Sequence, residues 1–288
     1  MSYSPTILVF DSGLGGLTVF REVVKTRPDA RYVYVADDAF FPYGRHDEAA
    51  LIARLVPLMG ELIAVHRPDL VVIACNTAST LVLTHLRAAY SVPLVGTVPA
   101  IKPACTASQT RLVSVLGTEA TVAREYTRGL IRDFGQGCEI SLVGSARLAG
   151  LAEAALRAEL VDDSVIVGEI SACFVERSGR RTDTVVLACT HYPLLHDRLE
   201  RLAPWPVAWI DPAPAIARRV TQLLGPPSPT AADERSARDR IVFTSNVDPP
   251  QSLAAALAQL GLRLFDELDH EPEEPSLPDF HLRARRGG

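Results

Sequence analysis

Two apolar runs in this chain end in the same way. Val71-Val72-Ile73-Ala74-Cys75-Asn76-Thr77 is echoed by Val185-Val186-Leu187-Ala188-Cys189-Thr190-His191. Each closes on Ala-Cys and then opens into a small polar residue. A thiol placed so stands at the C-terminal edge of a strand, beside a helix start. Backbone N–H groups and the helix dipole there favour negative charge, on the sulfur or on a bound carboxylate. If the two runs belong to two related units, the thiols face each other across one cleft. That arrangement suits racemisation. One thiolate removes the α-proton from one face, a planar carbanion results, and the other thiol returns a proton to the opposite face.

Three further side chains could tune the thiols. Asp11, ending the first apolar run, could orient a proton or hold a substrate ammonium; before Ser12-Gly13 it fits equally well as a helix cap or turn residue. His191, two residues after Cys189, could serve the second face, although a lone histidine is more commonly structural. Glu153 lies on a helical pattern and could orient His191, whereas such a glutamate is usually solvated surface.

Other chemistries fit less well. Asp11-Ser12-Gly13-Leu14-Gly15-Gly16 after a strand, with Asp37 ending the next, imitates a dinucleotide fingerprint. Its glycine spacing is GxGG rather than GxGxxG, and an aspartate before the turn would repel a pyrophosphate. Cys75, Cys189, His191 and Asp11 are zinc-ligand types, but paired C-x₂₋₄-C spacing is absent, as is the Cys-x-x-Cys of a redox pair. Pyridoxal phosphate needs a Schiff-base lysine, and Lys25 and Lys102 are unpersuasive candidates. No metal and no cofactor is therefore expected. Cys105, Cys138 and Cys173 read as small core hydrophobes.

The elements that must position these residues follow from the pattern. Strands are expected at 6–10, 32–36, 70–74, 112–116, 140–143, 184–188, 207–210 and 241–243, with helices at 17–25, 47–66, 119–133, 147–160 and 213–224. Apolar strands alternating with helices predict an α/β fold: parallel sheets covered on both faces, ligands at the strand C-termini. A weaker echo relates 7–13 to 112–118, so two pseudo-symmetric three-layer α/β lobes are expected, with the active site in the cleft between them. Residues 1–97 plus 207–268 form the first lobe in this reading and 98–206 the second; 225–240 is an exposed loop and 269–288 a flexible tail. The chain has 288 residues, 48% hydrophobic and 22% charged, with net charge −5, which points away from nucleic acid. No secretory signal and no membrane-spanning run of about 18 apolar residues is visible, so a cytoplasmic protein is expected.

Together these segments resemble the glutamate racemase family. The matching motifs are Phe10-Asp11-Ser12-Gly13-Leu14-Gly15-Gly16-Leu17, Pro42-Tyr43-Gly44, Ala74-Cys75-Asn76-Thr77-Ala78, Gly117-Thr118-Glu119-Ala120-Thr121 and Cys189-Thr190-His191-Tyr192-Pro193-Leu194-Leu195. The chain departs from the family's pattern at Gly144-Ser145-Ala146-Arg147, where Cys-Pro is frequent, and at Ala188 and Pro212. The resemblance implies cofactor-independent interconversion of L- and D-glutamate, supplying D-glutamate for peptidoglycan; aspartate or another acidic amino acid is the alternative substrate, and a non-catalytic binding protein on the same scaffold the alternative role. It further implies that Cys75 takes the proton from D-glutamate, supported by Asp11, and Cys189 from L-glutamate, supported by His191 and Glu153. Asn76, Thr77 and Thr190 would bind the α-carboxylate, and Ser12, Pro42, Tyr43, Gly44, Thr118 and Thr121 would line the remaining pocket. Members of the family commonly form homodimers.

Overall fold

The computed structural model describes residues 4–135, 137–228 and 239–264. The tail at 269–288 and most of the loop expected at 225–240 lie outside the described residues. Twelve strands occur among them: β1 Thr6–Asp11, β2 Arg31–Ala36, β3 Leu70–Ile73, β4 Leu94–Gly96, β5 Leu112–Thr118, β6 Glu139–Ser145, β7 Glu176–Arg177, β8 Arg180–Arg181, β9 Thr184–Ala188, β10 Ala208–Ile210, β11 Arg240–Phe243 and β12 Arg263–Leu264. They form a six-stranded sheet ordered β12-β11-β2-β1-β3-β4 and a four-stranded sheet ordered β10-β9-β5-β6, both wholly parallel. A short antiparallel β7–β8 hairpin stands apart.

Every residue of β1, β3 and β9 is buried, as parallel strands covered on both faces must be. Alternate side chains go to opposite faces of the first sheet. Ile7 and Val9 join a core with Leu17, Phe20 and Ile216, whereas Leu8 and Phe10 join one with Leu51, Leu55 and Met59. The second sheet repeats this, with Val185 and Leu187 on one side and Val186 and Ala188 on the other. The helix Glu48–His66, capped by Asp47 on the N–H of Ala50, covers one face of the first sheet. Among the described residues it alone has the length and composition of a membrane span, which the sequence reading did not anticipate; its Leu51, Leu55, Met59 and Leu62 are spent on the sheet.

One lobe boundary is corrected. Segment 207–210 was expected to return to the first lobe, but β10 pairs with β9 at Ala208↔Thr184 and Ile210↔Val186, in the second sheet. The crossing comes just after it: the helix Ala213–Leu224 packs Ile216, Ala217 and Val220 against the first-sheet core. With β10 so placed, β2-β1-β3-β4 in one sheet matches β6-β5-β9-β10 in the other.

Candidate active site

Register sets the site. Phe10 is level with Ile73 across β1 and β3, so Ser12 and Cys75, each two residues on, leave the first sheet at one height, just past Asp11. Gly117 is level with Ala188 across β5 and β9, so Thr118 and Cys189 do the same in the second. The two C-terminal edges meet around a narrow cavity. Ser12, Phe41, Pro42, Tyr43, Gly44, Cys75, Asn76, Thr77, Thr118, Ala149, Cys189, Thr190 and His191 line it. The structure therefore brings both cysteines to one cavity, together with eight of the nine residues expected to contact substrate. The ninth, Thr121, stands behind: its hydroxyl lies 2.9 Å from Thr118 Oγ1 and 3.5 Å from Thr77 Oγ1.

The thiols are set differently. Cys75 caps the short helix Asn76–Leu81, and its Sγ lies 3.7 Å from Ser12 Oγ. Burial, and then the nearby Asp11 charge, push its pKa up to about 12, so it rests as a thiol. Asp11 does not bond the sulfur. Its carboxylate accepts from the N–H groups of Gly13 at 3.2 Å and Gly16 at 3.0 Å, so it is a turn residue whose charge also reaches Cys75. Burial raises the Asp11 carboxyl, against the opposing pull of His191 and the two N–H groups.

Cys189 Sγ lies 3.8 Å from His191 Nδ1. On the far side of the ring, Nε2 is 3.1 Å from Glu153 Oε1, and all three side chains are buried. Burial by itself would lower the His191 pKa; the hydrogen bonds to Cys189 and Glu153 outweigh it and raise the pKa well above the ordinary value. Burial would likewise raise Glu153, but His191, the Leu14 N–H and Arg157 bring it below the usual carboxylate range. The proton thus belongs on the imidazole and the negative charge on the carboxylate.

Asn76 is 2% exposed and lines the cavity, yet neither its Nδ2 nor its Oδ1 has a partner among the described residues. An unsatisfied buried amide costs about 1–3 kcal/mol, so this one suits a ligand carrying both acceptor and donor groups. Among the described residues no cluster of three His, Cys, Asp or Glu could hold a metal ion. The dinucleotide reading also loses its acid: Asp37 is taken by Tyr43 Oη, Arg54 Nη2 and Thr244 Oγ1, each at 2.6 Å.

Sequence reasoning missed two lining residues, Phe41 and Ala149, and one neighbour, Arg157. The Phe41 ring stands 5.4 Å from that of His191. Arg157 Nη2 bonds Glu153 Oε2 at 2.8 Å, a contact signalled by the i, i+4 spacing of the two residues.

Two thiols thus stand at the opposed edges of two like-ordered parallel sheets. The chain belongs to the Asp/Glu/hydantoin racemase family, whose model matches residues 12–220. It is 54% identical over 258 residues to the glutamate racemase of Brucella canis, covering 89% of this chain and 92% of that one. It superposes on the structure of Escherichia coli glutamate racemase in complex with L-glutamate and the activator UDP-MurNAc-Ala with TM-score 0.82 and 37% identity, covering 91% of this chain and 97% of that one. A glutamate racemase isoform of Bacillus anthracis gives TM-score 0.72 at 25% identity, over 93% and 99% of the two chains.

Proposed function

We propose that this protein interconverts L- and D-glutamate by a two-base mechanism without a cofactor, supplying D-glutamate for peptidoglycan. The observation that carries the reading is the meeting of Cys75 and Cys189, from separate sheets, at one small cavity. A pocket that only bound its ligand would need neither thiol, nor the buried His191–Glu153 pair behind one of them.

In this reading the α-carboxylate sits against the amide of Asn76 and the hydroxyls of Thr77 and Thr190. Ser12, Tyr43, Gly44 and Thr118 meet the rest of the substrate. Cys75 abstracts the α-proton of D-glutamate; burial and the Asp11 charge oppose its ionisation, so a cationic group on the substrate favours it. Cys189 then delivers a proton to the other face, and His191 restores it through Nδ1. In the reverse direction Cys189 is the base, with its proton shared toward His191 and the imidazolium held by Glu153.

Purified protein, without added cofactor, should racemise glutamate and incorporate deuterium at Cα from D₂O. Cys75→Ser and Cys189→Ser should each lower kcat by at least about 10²-fold, the range for a lost general acid or base. Turnover of aspartate but not glutamate would move the substrate assignment to the shorter acid. Full activity in Cys189→Ser would remove the two-base mechanism.

A further inference from the structure

The glycine-rich turn of the first lobe directs its backbone N–H groups at side chains. Leu14 N–H donates to Glu153 Oε1 at 2.9 Å, and Gly15 N–H lies 3.2 Å from His191 Nε2. Both partners belong to the second lobe. Glu153 Oε2, the other carboxylate oxygen, is held by Arg157 at 2.8 Å. Nε2 cannot hold a hydrogen for Glu153 and a lone pair for Gly15 together. The ring therefore has a partner in either protonation state: Glu153 when Nε2 is protonated, Gly15 when it is not.

The glycines are required by these contacts. A Cβ on Gly13 would run into Glu153 Oε1. One on Gly15 would lie 2.6 Å from His191 Cγ, and one on Gly16 would lie 2.8 Å from both Asp11 Cβ and Tyr34 Oη. The GxGG spacing is thus a cast of the second lobe's acid and imidazole and of the first lobe's own aspartate.

Resting on the racemase reading above, we propose that Arg157 and the turn 13–16 are positioning groups for the Cys189 half of the site. Arg157 anchors the outer oxygen of Glu153 and Leu14 N–H the inner one, which fixes Glu153 against Nε2 and points Nδ1 at the sulfur. Neither group touches substrate. Because the turn and the His191–Glu153 pair come from different lobes, the Cys189 half is complete only when the lobes are together. The Cys75 half, with Ser12 and Asp11 on its own lobe, does not depend on that contact.

The test compares Arg157→Ala, Arg157→Lys and Gly15→Ala with the parent. Arg157 is 34% exposed on its side chain, so its variants should fold. Kinetic constants are measured in both directions, and in D₂O the α-deuterium exchange of each enantiomer is followed beside inversion. Arg157→Ala should lower kcat about tenfold, the loss of one charge-assisted hydrogen bond, with little change in KM. Lysine at that position should restore most of it. From D-glutamate, exchange with retention should persist while inversion slows; from L-glutamate, both should slow together. Gly15→Ala should slow both directions, because the same turn also holds Asp11 through the N–H groups of Gly13 and Gly16, so the asymmetry is read from the Arg157 variants. Parental kinetics in Arg157→Ala overturn the inference. So does an equal loss of exchange and inversion from both enantiomers that lysine fails to rescue, since that marks a general structural role. Absence of glutamate turnover in the parent would instead remove the racemase reading itself.

Discussion

Cys75 is buried with a carboxylate nearby, so it is held as a thiol. Two predictions belong to single residues. Burial also pushes Cys173 up to about 12 from an ordinary value of 9.0. The unfolded chain then loses these protons first, so their stabilisation is full below pH 9.0 and falls as pH rises toward 12. Cys173→Ala should flatten the alkaline loss of stability in urea titrations while leaving racemisation intact; an equally steep loss would refute this. Asp11 has the same sign, because its raised carboxyl pKa means that the ionised form is costly inside the fold. Asp11→Asn should therefore melt no lower than the parent at neutral pH, which thermal melts of the two proteins check. At this scale the two cysteines, Asp11 and His191 were legible because each sits at or just beyond the end of an apolar run. Glu153 was the least legible: a glutamate on a helix looks like surface until the opposite lobe covers it, and no spacing in the sequence records that cover. The i, i+4 spacing of Glu153 and Arg157 was readable, but it looks the same on an exposed helix.

At the scale of elements, Asp37 shows how strand ends are tied. It closes β2 and joins Tyr43 of the cavity wall, Arg54 on the covering helix and Thr244 beyond β11. Those hydrogen bonds hold its pKa below the usual value although burial opposes this, so their contribution is lost as pH falls through that lowered value. Asp37→Ala should cost about 2 kcal/mol, moderated because Arg54 keeps a third of its surface in water, and should raise KM through Tyr43. A KM equal to the parent's would show that Tyr43 is held by packing alone. The strands themselves were legible because both faces of a parallel sheet demand unbroken apolar runs. The partner of a strand is set by register with distant residues, and this is why segment 207–210 was assigned to the wrong sheet. The internal repeat held the answer: β4 follows β3 in the first sheet order just as β10 follows β9 in the second.

Across the whole molecule, the two sheets meet through polar bonds as well as packing. Thr18 Oγ1 donates to the carbonyl of Thr190 at 3.1 Å, Thr190 Oγ1 lies 3.5 Å from Asp11 Oδ1, and Thr77 Oγ1 lies 3.4 Å from Thr118 Oγ1. A ligand seated among these groups adds its own bonds to both lobes. At a hundred times Kd it should stabilise the protein by about 2.7 kcal/mol, or roughly 5–10 °C in Tm for a protein of this size. Thermal melts with D- and L-glutamate should both show the shift; its absence with both would mean that the closed cavity does not take glutamate. The glycine turn also constrains how this molecule can be rebuilt. A hybrid that joined the first lobe of one relative to the second lobe of another would separate 13–16 from the acid and imidazole it was moulded on. Such a hybrid could keep every residue at the reacting carbon and still turn over poorly. Transplanting the turn along with 153–157 should recover it, which makes a stretch of backbone amides, rather than any side chain, the unit of inheritance between the halves.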